Sequence, residues 1–520
     1  MAKKYLPIGI QTFRDFKERN YQYVDKTDLI YKLVTEGQYY FFARPRRFGK
    51  SLLLSTIHEL FEGSKDLFEG LWIENKWNWQ ETNPVLHFSF ASIDYQGLGL
   101  EMAIHHMLDQ AAAKHGLVLS ATSFKSKFSQ LLELLGTQKG KIVLLVDEYD
   151  KPIIDYLETE QLPTARLHQE TMKVFYSVLK DASPYLRFVL ISGVSKFSKV
   201  SVFSDFNSLN DITLHPAYST LAGYTQAEIE QYFDPYLVEV MAVQQLDKPA
   251  LLEKMWLWYN GYSWDGVQKV YNPFGTLNFL DQKSFGNYWF STGTPTLLVR
   301  LMQKQVKFDF ELARTTAAVL DQYSLDALDL TALLFQTGYL TIVQRDYSNG
   351  NLVLDYPNLE VKDSMYSFVI DQLAPNRDYQ YTSIQVHHLK QAFEQNNLNA
   401  VKAIINTLFA DLPYSLFETD RKTSERFYHS LIHLLFKYLG VYIESEVHTS
   451  FGRADSVVQT STDIYIFEFK HNNSTENALA QIIDKKYADK YRMQGKTIHG
   501  IGVNFNFETR SIDGWLTELL

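Results

Sequence analysis

One segment near the N-terminus constrains the fold of this 520-residue chain most strongly. It is an apolar run followed by a loop of basic residues, and the loop ends in a glycine, a lysine and a serine. The run covers 39–43, the loop begins at 44, and apolar side chains then recur over 50–62 at the spacing of one helix face. We therefore predict a buried strand over 37–43, a tight loop and an amphipathic helix over 50–62. The N–H groups at the start of such a helix point toward bound anions, above all phosphate.

Strands and helices alternate through the following 150 residues. Further strands are predicted at 84–91, 142–147 and 187–192, and helices at 101–115, 121–136 and 165–182. This alternation predicts a parallel sheet covered by helices on both faces. Ligands of such sheets bind at the carboxyl ends of the strands. The loop and the acidic pair Asp147-Glu148 would both lie at that edge.

The loop departs at one position from the usual phosphate-binding pattern, G-x-x-x-x-G-K-[ST]. Arg44 stands where the first glycine is expected, so the loop must either turn differently or bring Arg44 near the phosphates. A bare Gly-Lys-Ser tripeptide is more often a chance match, but the strand before it, the helix after it and the acidic strand end favour phosphate binding. The residues assigned to the nucleotide are Arg44, Pro45, Arg46, Arg47, Phe48, Gly49, Lys50, Ser51, Asp147 and Ser192.

The strand over 142–147 ends in two carboxylates, Asp147 and Glu148. Asp147 and Ser51 are predicted to hold Mg²⁺, while Glu148 polarises the attacking water. Ser192 ends the next strand, where it could sense the terminal phosphate. The plain alternative is a strand that ends in solvated acids. Three cations are candidates for stabilising transferred charge, although each is more commonly an ordinary surface residue: Arg187, Lys196 and Lys199.

A second constellation lies near the C-terminus, where Asp455 and Glu468 flank a predicted hairpin. Period-two alternation places Glu468 and Lys470 on the same face of a strand. Two carboxylates held close repel each other unless a cation lies between them, and Mg²⁺ or Mn²⁺ suits such oxygen ligands. Lys470 would orient water or stabilise developing charge. An isolated E-x-K is more often a surface ion pair, but the flanking apolar residues and the spaced aspartate favour a nuclease site.

Further residues could complete this second site. Glu425, at the start of a predicted helix, is a candidate third metal ligand, and Glu446 competes for that role. Gln481 and Tyr487 follow on the next predicted helix, where they could contact the phosphate backbone of a nucleic acid.

The composition excludes several classes of protein. An aromatic content of 15% argues against disorder, and the absence of cysteine rules out disulfides and thiolate metal sites, which suits a cytoplasmic location. No apolar run is long enough for a membrane span, so no membrane partner is expected. The net charge of −10 argues against a general nucleic-acid coat protein. Acidic and basic residues are equally numerous over 421–520, so any DNA contact must be local.

The middle of the chain reads as mostly helical. A helix at 326–336 precedes the hairpin signal Asn349-Gly350, which suggests a winged-helix-like module. Residues 383–440 read as helical, and 441–505 as strands around one helix at 476–491. We therefore predict four segments: a P-loop domain over 1–240, a lid or winged-helix-like region over 241–370, a helical connector over 371–424 and a nuclease-like domain over 425–520.

Several motifs together resemble the bacterial AAA-ATPase-like family. They are Tyr23-Val24-Asp25-Lys26-Thr27, the loop over 44–51, Val146-Asp147-Glu148-Tyr149-Asp150, Gly193-Val194-Ser195-Lys196-Phe197 and Tyr271-Asn272-Pro273. The last hundred residues resemble the PD-(D/E)xK nuclease-like domain that usually accompanies this ATPase. The resemblance covers nearly the whole chain and implies that arginine at the first glycine position of the loop is normal in the family.

The resemblance implies an α/β multidomain fold. Its N-terminal part would be a P-loop sheet of the ASCE or AAA type, sandwiched by helices, with an extra strand between the phosphate strand and the acidic strand. A helical, winged-helix-like middle and a restriction-endonuclease-like α/β domain would follow. The resemblance also implies ATP as the nucleotide, Asp455 and Glu468 as metal ligands and Lys470 as catalytic, with Ala454 in place of the proline of the superfamily name.

Three functions remain open at this point. The leading one is an ATP-dependent nuclease that cleaves nucleic acid, with DNA as the first candidate. The second is a nucleotide-regulated protein that binds nucleic acid or protein without cutting. The third is a protein-directed switch whose aromatic residues at 256–290 form a partner surface, although core packing explains such aromatics more simply. A homo-oligomer is also open, because rings are common among related ATPases, although the sequence identifies no arginine finger.

Overall fold

The computed structural model describes residues 3–196, 202, 203, 206, 208–292, 296–305, 307, 308, 310–321, 325, 329–373, 381–410, 431–440, 444–447, 455–471, 474–506, 509 and 511–520. The chain divides into two compact units. Unit 1 comprises Met1–Leu298 and Phe310–Glu360, and unit 2 comprises Val299–Asp309 and Val361–Leu520. The four segments predicted from the sequence stay a proposal, because compactness alone does not delimit domains.

A five-stranded parallel sheet forms the centre of unit 1, in the order β2-β3-β4-β1-β5. Its strands are β1 (Tyr39–Ala43), β2 (Val85–Ser89), β3 (Ile142–Asp147), β4 (Leu186–Gly193) and β5 (Asn210–Asp211). Every residue of β3 is buried, as the continuous apolar sequence of that strand requires. Strand β4 lies between the phosphate strand β1 and the acidic strand β3, which confirms the extra strand that the family resemblance implied.

Helices precede and connect these strands. They are α1 (Phe13–Glu18), α2 (Thr27–Glu36), α3 (Lys50–Glu62), α4 (Tyr95–Leu98), α5 (Leu100–Lys114), α6 (Phe124–Lys139), α7 (Lys151–Ile154) and α8 (Leu162–Ser177). The four predicted helices are present as α3, α5, α6 and α8, whereas α1, α2, α4 and α7 were not predicted. Helix α3 has the predicted bounds. It ends at Gly63, whose φ of 79° lies in the left-handed region that favours glycine.

The middle of the chain adds helices and a small antiparallel sheet. The helices are α9 (Gln226–Tyr232), α10 (Asp234–Gln244), α11 (Lys248–Tyr259), α12 (Pro273–Gln282), α13 (Thr296–Gln305), α14 (Ala317–Asp321) and α15 (Leu330–Thr337). The strands β6 (Ala313–Thr316), β7 (Thr341–Arg345) and β8 (Asn351–Asp355) pair in the order β6-β8-β7. The predicted helix followed by a hairpin is therefore present, and β6 extends it to three strands.

Most of the aromatic stretch over 256–290 is core. Tyr259, Tyr262 and Tyr271 are fully buried, and the Tyr259 ring stacks against Phe285 with the ring planes 5° apart. Trp256 is partly exposed, at 41%. Packing thus accounts for these residues better than a partner surface does.

Unit 2 contains a mixed five-stranded sheet in the order β13-β12-β11-β10-β9. Its strands are β9 (Glu444–Val447), β10 (Ser456–Gln459), β11 (Asp463–His471), β12 (Thr497–Asn506) and β13 (Ser511–Leu519). Only the pair β11 and β12 is parallel. The helices of the C-terminal part are α16 (Leu359–Leu373), α17 (Tyr381–Glu394), α18 (Leu398–Ala410), α19 (431–439) and α20 (Thr475–Asp484).

Two features of this sheet correct the sequence prediction. The helix expected over 476–491 ends at Asp484, and Lys486 then takes a positive φ of 53°, which stops the helix. Strand β13 was not predicted, although it pairs with β12 along most of its length. Within the part of the chain that the structure describes, no helix combines the length and apolar character needed to cross a bilayer.

Candidate functional site

The loop between β1 and α3 lies at the carboxyl end of the parallel sheet. Gly49 caps α3 with a φ of 91°, and Arg47 takes an unusual positive φ of 68°. Lys50 is the first residue of α3, and its buried Nζ donates to the carbonyl oxygens of Arg44 (2.8 Å) and Pro45 (2.9 Å). Burial lowers the pKa of Lys50, against the opposing effect of the nearby Asp147. The ammonium is thus held inside the loop, at a helix N-terminus suited to phosphate.

Asp147, the last residue of β3, joins three segments of the chain. Its Oδ2 accepts a hydrogen bond of 2.6 Å from the Ser51 hydroxyl, and its Oδ1 accepts one of 2.7 Å from the Ser192 hydroxyl. The N–H of Glu148 also donates to Oδ1, at 3.0 Å. The strand order produces this convergence, because β4 lies between β1 and β3 and carries Ser192 to the same edge.

Glu148 follows Asp147 in a strained conformation, with a φ of 50°. Its carboxylate is partly buried and lines the same pocket as Lys50 and Ser51. Burial raises the pKa of Glu148, and the negative charge of Asp147 raises it further. A carboxylate with a raised pKa beside a phosphate loop is suited to accepting a proton from water.

The pocket at this edge has a volume of about 390 Å³. Its lining combines residues of the loop and of the end of β3 with apolar residues from other parts of unit 1. The former are Arg46, Arg47, Phe48, Gly49, Lys50, Ser51 and Glu148. The apolar residues include Phe16, Val24, Ile30, Leu53, Leu221, Phe274 and Leu277. This combination suits a ligand with a phosphate end and a flat apolar end.

The structure places Arg44 away from this pocket. Its fully buried guanidinium donates to the carbonyl oxygens of Ala43 (2.9 Å), Thr213 (2.9 Å) and Tyr218 (3.2 Å) and lies 3.9 Å from the ring centre of Trp264. Burial lowers the pKa of Arg44 to about 9. Of the two alternatives left open by the sequence, the loop therefore turns differently, and this arrangement does not support a phosphate contact by the Arg44 side chain.

Several other residues predicted from the sequence to contact the nucleotide do not line this pocket. The Pro45 ring faces Gly338 and does not line the pocket. Lys196 pairs with Asp211 at 2.9 Å, and the Arg187 Nη1 lies 3.5 Å from the Val34 carbonyl, so neither cation faces the pocket. Lys199 lies outside the described residues.

Sequence reasoning missed two supports of this site. Asp150 is buried, and its Oδ2 accepts from the N–H groups of Val194 (3.1 Å) and Ser195 (2.7 Å), which ties the end of β3 to the end of β4. The Trp289 indole donates to the carbonyl oxygen of Arg46 at 3.0 Å. Asp150 could have been found from the motif that contains it, but no local pattern marks Trp289.

In unit 2, the hairpin of β10 and β11 brings the second constellation together. Asp455 precedes β10, and its Oδ2 accepts from the N–H of Phe469 at 2.8 Å. Lys470 Nζ donates to Glu468 Oε1 at 3.0 Å, so these two side chains share a face as predicted. Gln481, on α20, accepts from Lys470 at 2.7 Å through its amide oxygen and donates to Glu468 Oε1 through its amide nitrogen.

Glu468 has the chemistry of a cation ligand. Only 3% of the residue is exposed, and its buried Oε2 has no hydrogen-bond partner among the described residues. Burial and the neighbouring Asp455 raise the pKa of Glu468 to about 7, against the lowering effect of Lys470. A buried oxygen without a partner beside a second carboxylate fits a divalent cation with oxygen ligands.

The remaining members of this constellation are described only in part. Glu425 lies outside the described residues, and only the backbone of Glu446 is described, where it pairs with Val457. Considering only the described ranges, no group of three or more histidine, cysteine, aspartate or glutamate residues could hold a metal ion. The Tyr487 hydroxyl lies 3.4 Å from the Gln481 amide nitrogen. Contacts of these two residues with nucleic acid stay a prediction.

The strand order of unit 1 and the loop around Lys50 define an AAA-ATPase-like protein, and unit 2 adds a nuclease-like sheet. A family model described as "Predicted AAA-ATPase" matches residues 7–203, and one described as "PD-(D/E)XK nuclease superfamily" matches 423–515. The chain is 38% identical over 530 residues to "Uncharacterized protein in vnfD 5'region" of Azotobacter chroococcum mcd 1, with full coverage of both chains. The chain thus belongs to the bacterial AAA-ATPase-like family with a C-terminal PD-(D/E)XK nuclease-superfamily domain.

Proposed function

We propose that this protein binds and hydrolyses ATP in unit 1 and that the bound nucleotide controls a metal-dependent nuclease in unit 2. The observation that carries the proposal is the hydrogen-bonded set of Ser51, Asp147 and Ser192 beside Lys50. A hydroxyl and a carboxylate that meet at the start of a phosphate-binding helix are the groups that hold a nucleotide-bound divalent cation.

Each residue of the ATP site has a role in this proposal. Lys50 exchanges its bonds with loop carbonyls for bonds with phosphate oxygens, and the N–H groups at the start of α3 hold the same phosphates. Ser51 and Asp147 hold Mg²⁺, which supplies charge neutralisation of the phosphates when bound. Glu148 orients the attacking water and accepts its proton. Ser192 keeps Asp147 in place through its hydroxyl group, and its role in sensing the terminal phosphate stays a prediction.

In the proposed nuclease site, each of four residues has its own role. Asp455 and Glu468 hold Mg²⁺ or Mn²⁺, which lowers the pKa of bound water and neutralises the charge on the scissile phosphate. Lys470 stabilises negative charge that develops on the phosphate oxygens. Gln481 fixes the positions of Lys470 and Glu468, because its amide group bonds to both. Glu425 and Tyr487 remain candidates for a third metal ligand and a phosphate contact.

The proposed substrate is nucleic acid, with DNA as the first candidate. A second function deserves a direct test, namely nucleotide-regulated binding of nucleic acid or protein without cleavage. Acidic and basic residues are equally numerous over 421–520, so no dense positive charge draws a nucleic acid into this region. A non-cleaving domain of the same fold would satisfy that observation as well as a nuclease with local contacts.

A matrix of ATP and metal conditions separates these functions. Plasmid, linear double-stranded DNA, single-stranded DNA and RNA are incubated with Mg²⁺ or Mn²⁺, with and without ATP. The variants are Lys50→Ala, Asp455→Ala and, as a matched control, Lys125→Ala, which removes an exposed lysine outside the pocket. Metal-dependent cleavage that Asp455→Ala abolishes supports the nuclease.

Two other results would change the proposal. Binding of nucleic acid without cleavage under every condition would favour the second function. Cleavage that responds to ATP equally in wild type and in Lys50→Ala would remove the proposed control by nucleotide. Sedimentation of the nucleotide-bound protein over a range of concentrations would show whether the homo-oligomer that the sequence leaves open forms.

A further inference from the structure

The phosphate loop is held from outside by a tryptophan distant in sequence. The Trp289 indole N–H donates to the carbonyl oxygen of Arg46 at 3.0 Å, and the indole ring is buried against Tyr262 and Tyr339. Arg46 lines the nucleotide pocket. This hydrogen bond therefore fixes the orientation of one peptide group within the loop that the phosphates would contact.

A buried carboxylate in turn fixes the backbone around Trp289. Glu360 is fully buried, and its Oε1 accepts from the N–H of Trp289. Burial raises the pKa of Glu360 to about 8, against the lowering effect of the N–H groups of Trp289, Phe290 and Tyr288. The position of Trp289 thus depends on Glu360.

The same carboxylate also contacts a second support of the loop. Glu360 Oε2 lies so close to α12 that a Cβ atom at Gly275 would meet it at 2.8 Å. The neighbouring residue Phe274 lines the pocket, and its ring centre lies 5.2 Å from the Arg47 guanidinium. Glu360 is therefore hydrogen-bonded to Trp289, which contacts Arg46, and lies against the first turn of α12, which contacts Arg47.

The loop needs such support, because its backbone is strained. Arg47 has a φ of 68°, a conformation that costs a bulky residue energy and persists only where the surroundings determine it. A loop already held in its binding conformation loses less entropy when the nucleotide arrives. Supports on both arginines would supply that preorganisation.

We propose that Glu360 is a positioning residue for the phosphate loop, acting through Trp289 on the Arg46 carbonyl and through the first turn of α12 on Arg47. This inference rests on the proposed function, since it assumes that the pocket binds a nucleotide. A purely structural role would make a different prediction, namely lower stability without a change in nucleotide affinity.

The first test removes a single hydrogen-bond donor. Trp289→Phe deletes the indole N–H but keeps an aromatic ring, and Trp79→Phe is its matched control, because Trp79 donates to the Glu74 carbonyl at 2.7 Å outside the pocket. Dissociation constants for ADP and ATP are measured by calorimetry, alongside kcat and thermal unfolding. We expect the nucleotide Kd to rise about fivefold to tenfold in Trp289→Phe, the effect of one net hydrogen bond.

The comparison of nucleotide Kd between the two tryptophan variants shows whether the Trp289 hydrogen bond matters for binding. Trp79→Phe should leave Kd within about twofold of wild type, and kcat at saturating ATP should change less than Kd in Trp289→Phe. Equal Kd values in the two variants, with wild type binding normally, would overturn this inference and leave the proposed ATP site intact. Failure of the wild-type protein to bind any nucleotide would overturn both.

The second test asks whether Glu360 acts through Trp289. Glu360→Gln keeps an oxygen acceptor for the Trp289 N–H, so its Kd should stay close to wild type, whereas Glu360→Ala should raise Kd at least as much as Trp289→Phe does. The double variant Glu360→Ala/Trp289→Phe should bind about as weakly as Glu360→Ala alone, because coupled residues are not additive. Additive losses of nucleotide-binding free energy in the double variant would contradict the proposal that Glu360 acts through Trp289. Should Glu360→Ala fail to fold, Glu360→Met, which fills more of the buried space but offers no oxygen acceptor to the Trp289 N–H, takes its place in both comparisons.

Discussion

Ser51 Oγ donates a 2.6 Å hydrogen bond to Oδ2 of Asp147, 96 residues further along the chain. The hydroxyl belongs to the first turn of α3 and the carboxylate to the end of β3. This contact therefore links the helix to the strand at the edge of the sheet where the phosphates would lie. Ser192 holds the other carboxylate oxygen. The carboxylate is thus oriented by two hydroxyl groups from different segments, and such fixed orientation is what charge stabilisation by the proposed site would need.

Replacing Ser51 by alanine tests the predicted metal site. Ser51→Ala removes one oxygen ligand and the donor to Asp147, so we expect ATP hydrolysis to require a higher Mg²⁺ concentration and kcat to fall at least about tenfold. ATPase activity is measured over a Mg²⁺ titration. The control is Ser55→Ala on the same helix, where the hydroxyl accepts from the Phe13 N–H at 2.9 Å. Equal Mg²⁺ dependence in the two variants would contradict the assignment.

Glu148→Gln separates nucleotide binding from hydrolysis. The amide cannot accept a proton from water, so we expect kcat to fall roughly 100-fold or more while the ATP Kd stays within a few-fold of wild type. Single-turnover hydrolysis and calorimetric binding measure the two quantities separately. Lys151→Gln is a control in the same pocket. Lys151 lines the pocket, but its ammonium group pairs with Asp155 and has no proposed role in hydrolysis. Full hydrolysis by Glu148→Gln would remove Glu148 from the mechanism.

Lys470→Met tests the proposed catalytic role of Lys470. Methionine keeps much of the apolar stem but lacks the charge, so nucleic-acid cleavage should fall about 100-fold, the effect of removing one group that stabilises developing charge. Mn²⁺ binding, measured by calorimetry, should persist because both carboxylates remain. Lys485→Met, at an exposed position after α20, should cleave normally. Cleavage by Lys470→Met at the wild-type rate would assign Lys470 to structure alone.

The raised pKa of Glu360 predicts a dependence of stability on pH. The folded protein holds a proton on Glu360 up to about pH 8, whereas the unfolded chain releases it near the usual value of 4.5. This contribution to stability is therefore fully present below pH 4.5 and is lost as the pH rises through about 8. The thermal unfolding midpoint of wild type should fall relative to that of Glu360→Gln between pH 6 and pH 8.

A matched variant checks that this change comes from the buried carboxyl group. Glu253→Gln alters an exposed residue of α11, so its unfolding midpoint should follow that of wild type over the whole range. Parallel curves for wild type and Glu360→Gln would show that Glu360 does not titrate in this interval.

Much of the parallel sheet could be predicted from the sequence, because its strands are buried on both faces. The apolar run before Asp147 gave the bounds of β3, and the helical spacing after Gly49 gave those of α3. Such strands have continuous apolar sequences that differ from those of the surface helices. The pairing of Glu468 with Lys470 could also be predicted, since alternation along one strand needs no knowledge of its neighbours.

The remaining features depend on contacts between distant parts of the chain. Strand β13 was missed because its exposed positions and Gly514 weaken the usual strand signal, and pairing with β12 compensates for that weakness. The bond from Trp289 to Arg46 joins residues 243 positions apart. The amide group of Gln481 bonds to Lys470 and Glu468, a link that no local pattern marks, while its contact with a nucleic-acid phosphate stays a prediction.

The burial of the Arg44 side chain within unit 1 has a consequence for how relatives of this protein are recognised. Here the first position of the loop is anchored by a guanidinium bonded to Thr213 and Tyr218 carbonyl groups, so the backbone freedom of glycine is not needed there. A pattern search that insists on glycine at that position would pass over this chain. Searches that pair an arginine there with a buried tryptophan such as Trp264 would recover proteins built in the same way.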